Sequence, residues 1–179
     1  MNVTVTFHAA DRAAWRGWLE RHHGDKKEIW LVREPRRANV SYLESVEEAL
    51  CFGWIDGIAK RLDGGRVAQR FTPRAGRSHW TELNKERARR LIAEGRMTEA
   101  GRAALPDLSL EVFRIAPDLE AALRENPETW AHFEAFPDVY KRVRIGYIEE
   151  VRGKPEVFQT RLNHFLEKTR QNKQFGGTR

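Results

Sequence analysis

Residues 54–74 read WIDGIAKRLDGGRVAQRFTPR. Asp63-Gly64-Gly65 is turn chemistry, and strand-forming residues flank it, so the stretch predicts a β-hairpin with strands near 54–61 and 66–72. The register decides which side chains share a face. A three-residue DGG loop sets Ile58 opposite Arg70. Ile55, Ala59, Val67 and Phe71 then share one face, and Trp54, Asp56, Lys60, Arg66, Arg70 and Arg74 share the other. A two-residue loop would put Asp56 on the face of Phe71 and mix the two classes. A slip of one residue flips a whole strand, so the segregated register is the expected one.

Upstream, VTVTF at 3–7 alternates and is β-branched, which predicts a first strand, and EIWLVR at 28–33 predicts a second. Between them Asp11 caps a helix to about residue 22, with Ala14, Trp15, Trp18 and Leu19 at helical spacing. Arg36, Arg37 and Asn39 fall in a polar loop, and Ser41 with Glu44 forms a capping box that opens a helix to about Phe52. Downstream of the hairpin the chain reads as helical. One helix spans about 80–94 and ends at Gly95. Others start near Pro117, Pro127, Pro137 and Pro155, because proline suits a first helical turn. Tyr140, Val143, Tyr147 and Val151 make one apolar stripe, and Phe158, Leu162, Phe165 and Leu166 another. The predicted fold is α+β: a small antiparallel sheet packed with helices in residues 1–105, a helical C-terminal module in 106–172, and a loose tail in 173–179.

Composition bounds the possibilities. Of 179 residues 40% are hydrophobic and 32% charged, and six Trp and nine Phe supply large units of buried area, so a real core can form. Cys51 is the single cysteine, which excludes an internal disulfide. Its apolar context, ALCFGW, predicts an inert core thiol. The N-terminal MNVTVTFHAADRAAW lacks a signal-peptide pattern, and no apolar run suits a membrane span, so a reducing cytoplasm is the expected location. The net charge of +6 is uneven. Residues 59–102 carry 12 basic and 5 acidic side chains, 103–140 carry 2 and 8, and 141–179 carry 10 and 4. The blocks can cancel against one another or leave an anion-binding face.

The candidate site lies between Trp54 and Arg87. At about 100° per residue, Asn84 and Arg87 fall within about 40° of Trp80, inside the apolar arc of helix 80–94, while Glu82, Lys85, Glu86 and Arg89 point away. Buried amides and guanidiniums need partners, and Asp56 is the obvious one for Arg87. Either an internal polar network or the wall of a ligand pocket would explain the pattern. Arg70 and Arg74 offer forks suited to carboxylate or phosphate. Ser78 sits before the helix start and either caps it or helps to hold an anion. The histidines, His22-His23 included, lack metal-ligand spacing, and there is no phosphate loop, dinucleotide fingerprint or nucleophile elbow. No metal or cofactor is called for.

The runs CFGWIDG (51–57), QRFTPR (69–74), SHWTELNKER (78–87) and EGRMTEAG (94–101) resemble the YdeI/OmpD-associated, or bacteriocin-protection, family. WLE (18–20) and IWLV (29–32) agree with it. PDLEAAL, NPETWAHFEAFP and the final Y-I-E-E pattern are similar to that family's helical module. By this resemblance Gly53, Trp54, Asp56, Gly57, Arg70, Pro73, Arg74, Ser78, Trp80 and Asn84 match family motif positions. RAALPDLSLEVFRIAPD (102–118) departs from the alanine-rich segment that family members often carry there. The resemblance implies a bacterial protein linked to envelope stress or to tolerance of antimicrobial peptides, and it implies no particular reaction.

The leading expectation is a binding protein that holds a small anion or an acidic peptide segment through Trp54, Asp56, Arg70, Arg74, Ser78, Trp80, Asn84 and Arg87. The rivals are an enzyme acting on an anionic or nucleotide-like substrate with Asp56 as acid-base group, and nucleic-acid binding through the basic helices of 137–170.

Overall fold

A computed structural model describes residues 2–35, 37–76, 78–110 and 113–178. Arg36 of the polar loop lies outside them. The elements follow the local signals closely: β1 (Thr6–Phe7), α1 (Arg12–His22), β2 (Ile29–Arg33), α2 (Tyr42–Cys51), β3 (Trp54–Arg61), β4 (Val67–Pro73), α3 (Glu82–Ala93), α4 (Glu99–Ala103), α5 (Pro117–Arg124), α6 (Pro127–Ala135), α7 (Asp138–Glu149) and α8 (Pro155–Arg170). Asp11 caps α1 by accepting from Ala14 N, and Ser41 with Glu44 closes the capping box of α2.

The strands form one sheet in the order β1-β2-β4-β3. The sheet is mixed rather than wholly antiparallel: β1 runs parallel to β2, pairing Thr6 with Trp30 and Phe7 with Leu31. The intervening α1 supplies the crossover that a parallel pair needs.

The hairpin register holds only in the half next to the turn. Arg61 pairs with Val67, Lys60 with Ala68 and Ala59 with Gln69, as a three-residue loop demands. A bulge between Asp56 and Ala59 then absorbs one extra residue of β3. Beyond it Asp56 faces Phe71, Ile55 faces Thr72 and Trp54 faces Pro73. The expected segregation therefore fails: Trp54 and Asp56 share the face of Phe71, and Arg70 lies on the opposite one.

The face carrying Phe71 and Trp54 is covered by α1. Trp15 lies 5.2 Å from Phe71 and 5.3 Å from Trp18, and Trp18 meets Trp54 edge-on at 5.8 Å between centroids. The three indoles are buried, and two of them place their N–H groups: Trp15 Nε1 donates to Ser45 O at 2.9 Å and Trp54 Nε1 to His23 O at 3.2 Å. The other face carries a smaller cluster of Trp30, Val32 and Ala68 packed with Val3 and Leu62.

The described chain divides into two compact units. One takes residues up to Ser78 together with Ala88–Pro106, and the other takes His79–Arg87 with residues from Asp107 onward. In the second unit Leu119, Leu123, Phe133, Phe136, Tyr140, Ile145, Ile148, Leu162 and Phe165 form the core of α5–α8. Glu86, expected to point to water, is buried there because Arg142 of α7 donates to it at 2.7 Å. The described part of the expected loose tail makes two contacts with this unit. Phe175 packs against the helical core, and Arg144 Nη2 donates to Gly177 O at 3.0 Å. No helix among the described residues is long and apolar enough to cross a membrane.

Candidate functional site

The α2–β3 junction borders a hollow of about 350 Å³. The chain leaves α2 through Gly53, whose φ is +73°. A methyl group there would come within 2.9 Å of Ala100 O, so only glycine permits both the turn and the approach of α4. Gly101 is the counterpart on α4, since a Cβ at that position would overlap Cys51 O and Met97 Sδ. Thr98 fastens the two ends. Its backbone N–H donates to Cys51 O at 3.1 Å, its hydroxyl donates to the same oxygen at 2.6 Å, and its Oγ1 accepts from Gly101 N at 3.2 Å. The motif runs CFGW and MTEAG are thus two halves of one backbone clasp.

The hollow beside this clasp is lined by His23, Phe52, Gly53, Trp54, Pro73, Arg74, Ala75, Gly76, Ala100, Ala103, Ala104 and Leu105. Apart from His23 and Arg74, the lining residues are small or apolar. Arg74 supplies the full charge, and Arg74 N anchors the strand end by donating to Gly53 O at 2.8 Å. Burial pushes the Arg74 guanidinium down to about 10, against the opposing pull of the Asp56 carboxylate. The C-terminal turns of α2 and α4 also border the hollow, and their carbonyl dipoles favour a cation in this position.

The remaining candidates have other settings. Asp56 Oδ2 accepts from Tyr42 Oη at 2.7 Å. Arg70 is engaged with Glu28 on the far face of the sheet: its Nε donates at 2.7 Å and its Nη2 lies 2.6 Å from the same carboxylate oxygen. Hydrogen bonds from Thr4 and then Arg70 hold Glu28 below the usual carboxylate range. Ser78 does not cap α3. The helix begins four residues later, Thr81 Oγ1 accepts from Asn84 N at 3.1 Å, and Ser78 N donates to Ala75 O. In the second unit Arg87 Nη1 donates to Asn84 Oδ1 at 2.9 Å, and Trp80 lines a separate hollow of about 210 Å³ with His79, Glu82, Lys85 and Glu149. In the first unit, then, Trp54 and Arg74 share a cavity and Arg70 faces away from it.

Sequence reasoning missed two features. His23 lines the hollow, and its only signal was its place at the end of the amphipathic first helix. More consequential is a buried carboxylate pair on α2. Glu48 is fully buried and receives Arg12 Nε at 2.5 Å, Arg16 Nη1 at 2.8 Å and Arg96. Glu47 is ion-paired with Arg12 Nη2 at 2.9 Å and with Arg90. Burial disfavours the charge on Arg12 and Arg16, but the hydrogen bonds and charge of Glu48 outweigh it and raise both guanidiniums. Cys51, one turn beyond the pair's start, is buried, and burial pushes its thiol up to about 11, so it is no thiolate nucleophile at neutral pH. No group of three His, Cys, Asp or Glu side chains among the described residues is placed to hold a metal ion.

The comparisons with known proteins divide the chain along its length. A family model described as a domain of unknown function (DUF8412) matches residues 7–104, which include the clasp, all four hairpin and helix motifs and every residue named in the lining of the hollow except Leu105. A second, described as bacteriocin-protection, YdeI or OmpD-associated, matches residues 112–172. No curated protein and no solved structure matches the chain. The chain therefore belongs to the DUF8412 family, whose model covers more than half its length, and residues 112–172 match the bacteriocin-protection, YdeI or OmpD-associated model.

Proposed function

We propose that the chain is a binding protein that takes a small carboxylate- or phosphate-bearing ligand, or the acidic segment of a peptide, in the hollow headed by Arg74. The observation that carries this reading is a half-buried guanidinium in the wall of a hollow of about 350 Å³ otherwise lined by His23 and by small or apolar residues. The volume suits a small ligand. A guanidinium offers a paired donor set to a carboxylate or phosphate, and partial desolvation strengthens that interaction. Trp54 supplies an apolar wall. By extension from the name of the family matched at 112–172, the role served is tolerance of bacteriocins or related peptides.

Trp54, one of six tryptophans, lines this hollow, so intrinsic fluorescence carries a contribution from it. Titration with citrate, phosphate and acidic dipeptides is expected to change the fluorescence for at least one of them, and Arg74→Met is expected to abolish that change. Because burial works against the Arg74 charge, Arg74→Met is also expected to melt at the same temperature as the parent or higher. If no anion perturbs the parent protein, or if Arg74→Met binds equally well, the reading fails.

A further inference from the structure

Arg144 of α7 is 7% exposed, yet among the described residues no carboxylate lies within ion-pair distance of it. A buried charge without a counter-charge is costly, so what surrounds it matters. Its guanidinium carbon lies 5.8 Å from the ring centre of Tyr140, 5.7 Å from Tyr147 and 5.2 Å from Phe175, which makes a three-sided aromatic box. Nη2 donates to the neutral carbonyl of Gly177, and Nε is buried without a hydrogen-bond partner. Burial lowers the Arg144 guanidinium, against the pull of Tyr140, Tyr147 and Glu150.

Part of the box comes from the chain's own tail. After α8 the backbone turns through Asn172, whose φ is +53°, and folds back over the module. Phe175 packs edge-on against His164 at 4.5 Å, and its N–H reaches Tyr140 Oη at 3.4 Å. Beyond Lys173 the strap is held by that long hydrogen bond, the Arg144–Gly177 bond and one ring. It thus presents a ring and an acceptor oxygen to a cationic aromatic site.

We propose that residues 175–177 are an internal occupant of a second binding site, which takes an aromatic carboxylate when the strap lifts. The ligand's ring replaces that of Phe175 between His164 and the core. Its carboxylate replaces the Gly177 carbonyl, turning a hydrogen bond from the Arg144 cation to a neutral acceptor into one between opposite charges and giving Nε a partner. This site belongs to the helical module and is independent of the Arg74 hollow.

The test uses the full chain with phenylacetate as probe, and acetate and benzyl alcohol as arms that lack the ring or the charge. The Arg144 Nε–H and Phe175 amide signals are followed by NMR. Phenylacetate is expected to move both, and the two control compounds to bind at least about tenfold more weakly. Phe175→Ser removes the internal competitor and is expected to tighten phenylacetate binding about tenfold, because a competent state that is rarely populated weakens apparent affinity in proportion. Arg144→Gln in that background is expected to abolish it. Should Phe175→Ser not fold, Gly176→Ala takes its place, since its Cβ would press on the Arg144 guanidinium and push the strap outward. Unmoved signals in the parent and in a folded strap variant overturn the proposal, as does binding that survives Arg144→Gln.

Discussion

Glu48 shows how far a residue's role can lie from its local appearance. In LESVEEAL a glutamate on a helix reads as a solvated charge, but here it is fully buried and meets three guanidiniums from two other segments. Removing one member of such a cluster leaves the others uncompensated, and the desolvation already incurred is not recovered. Glu48→Gln is therefore expected to lower stability by about 3 kcal/mol, measured by urea denaturation, and a loss below about 1 kcal/mol would show that the partly exposed arginines are adequately hydrated without it. The cluster was invisible in the sequence for a physical reason: Arg12, Arg16, Arg90 and Arg96 meet Glu47 and Glu48 only after tertiary packing. Trp54 and Arg74, by contrast, are legible as an indole and a guanidinium on one predicted hairpin face, and both line one hollow.

At the scale of elements, the legible features are those a short window encodes. The DGG loop, the Ser41–Glu44 box and the prolines at helix starts each act through their own neighbours, and the corresponding elements form where expected. The bulge in β3 and the parallel pairing of β1 depend on distant strands, so neither could be read locally. Close approach of elements is a third kind of information, carried by glycine. Where Gly101 lets α4 meet the end of α2, Gly101→Ala is expected to destabilise by about 1–3 kcal/mol through overpacking. Gly24→Ala, with nothing within 4 Å of the added carbon, is expected to leave thermal melting unchanged. Equal melting of the two variants would show that α4 yields without cost.

For the whole molecule, the net charge of +6 overstates the positive charge free for partners. Arg12, Arg16, Arg70, Arg90, Arg96, Arg124, Arg142 and Arg152 are all in ion pairs. Binding to nucleic acid by charge alone draws on unengaged cations and weakens steeply with salt. Retardation of a duplex oligonucleotide is thus expected at low salt only, and tight retardation at physiological salt would assign the basic faces to nucleic acid. The matched families occupy consecutive stretches, 7–104 and 112–172, whereas the compact units interleave, because His79–Arg87 packs with the later residues. Inheritance and packing thus draw their borders in different places. A recombination event at the inherited border would hand the incoming helical module a foreign nine-residue segment, so Glu86 for Arg142 and a side chain slim enough to sit against Gly146 must arrive from the other parent.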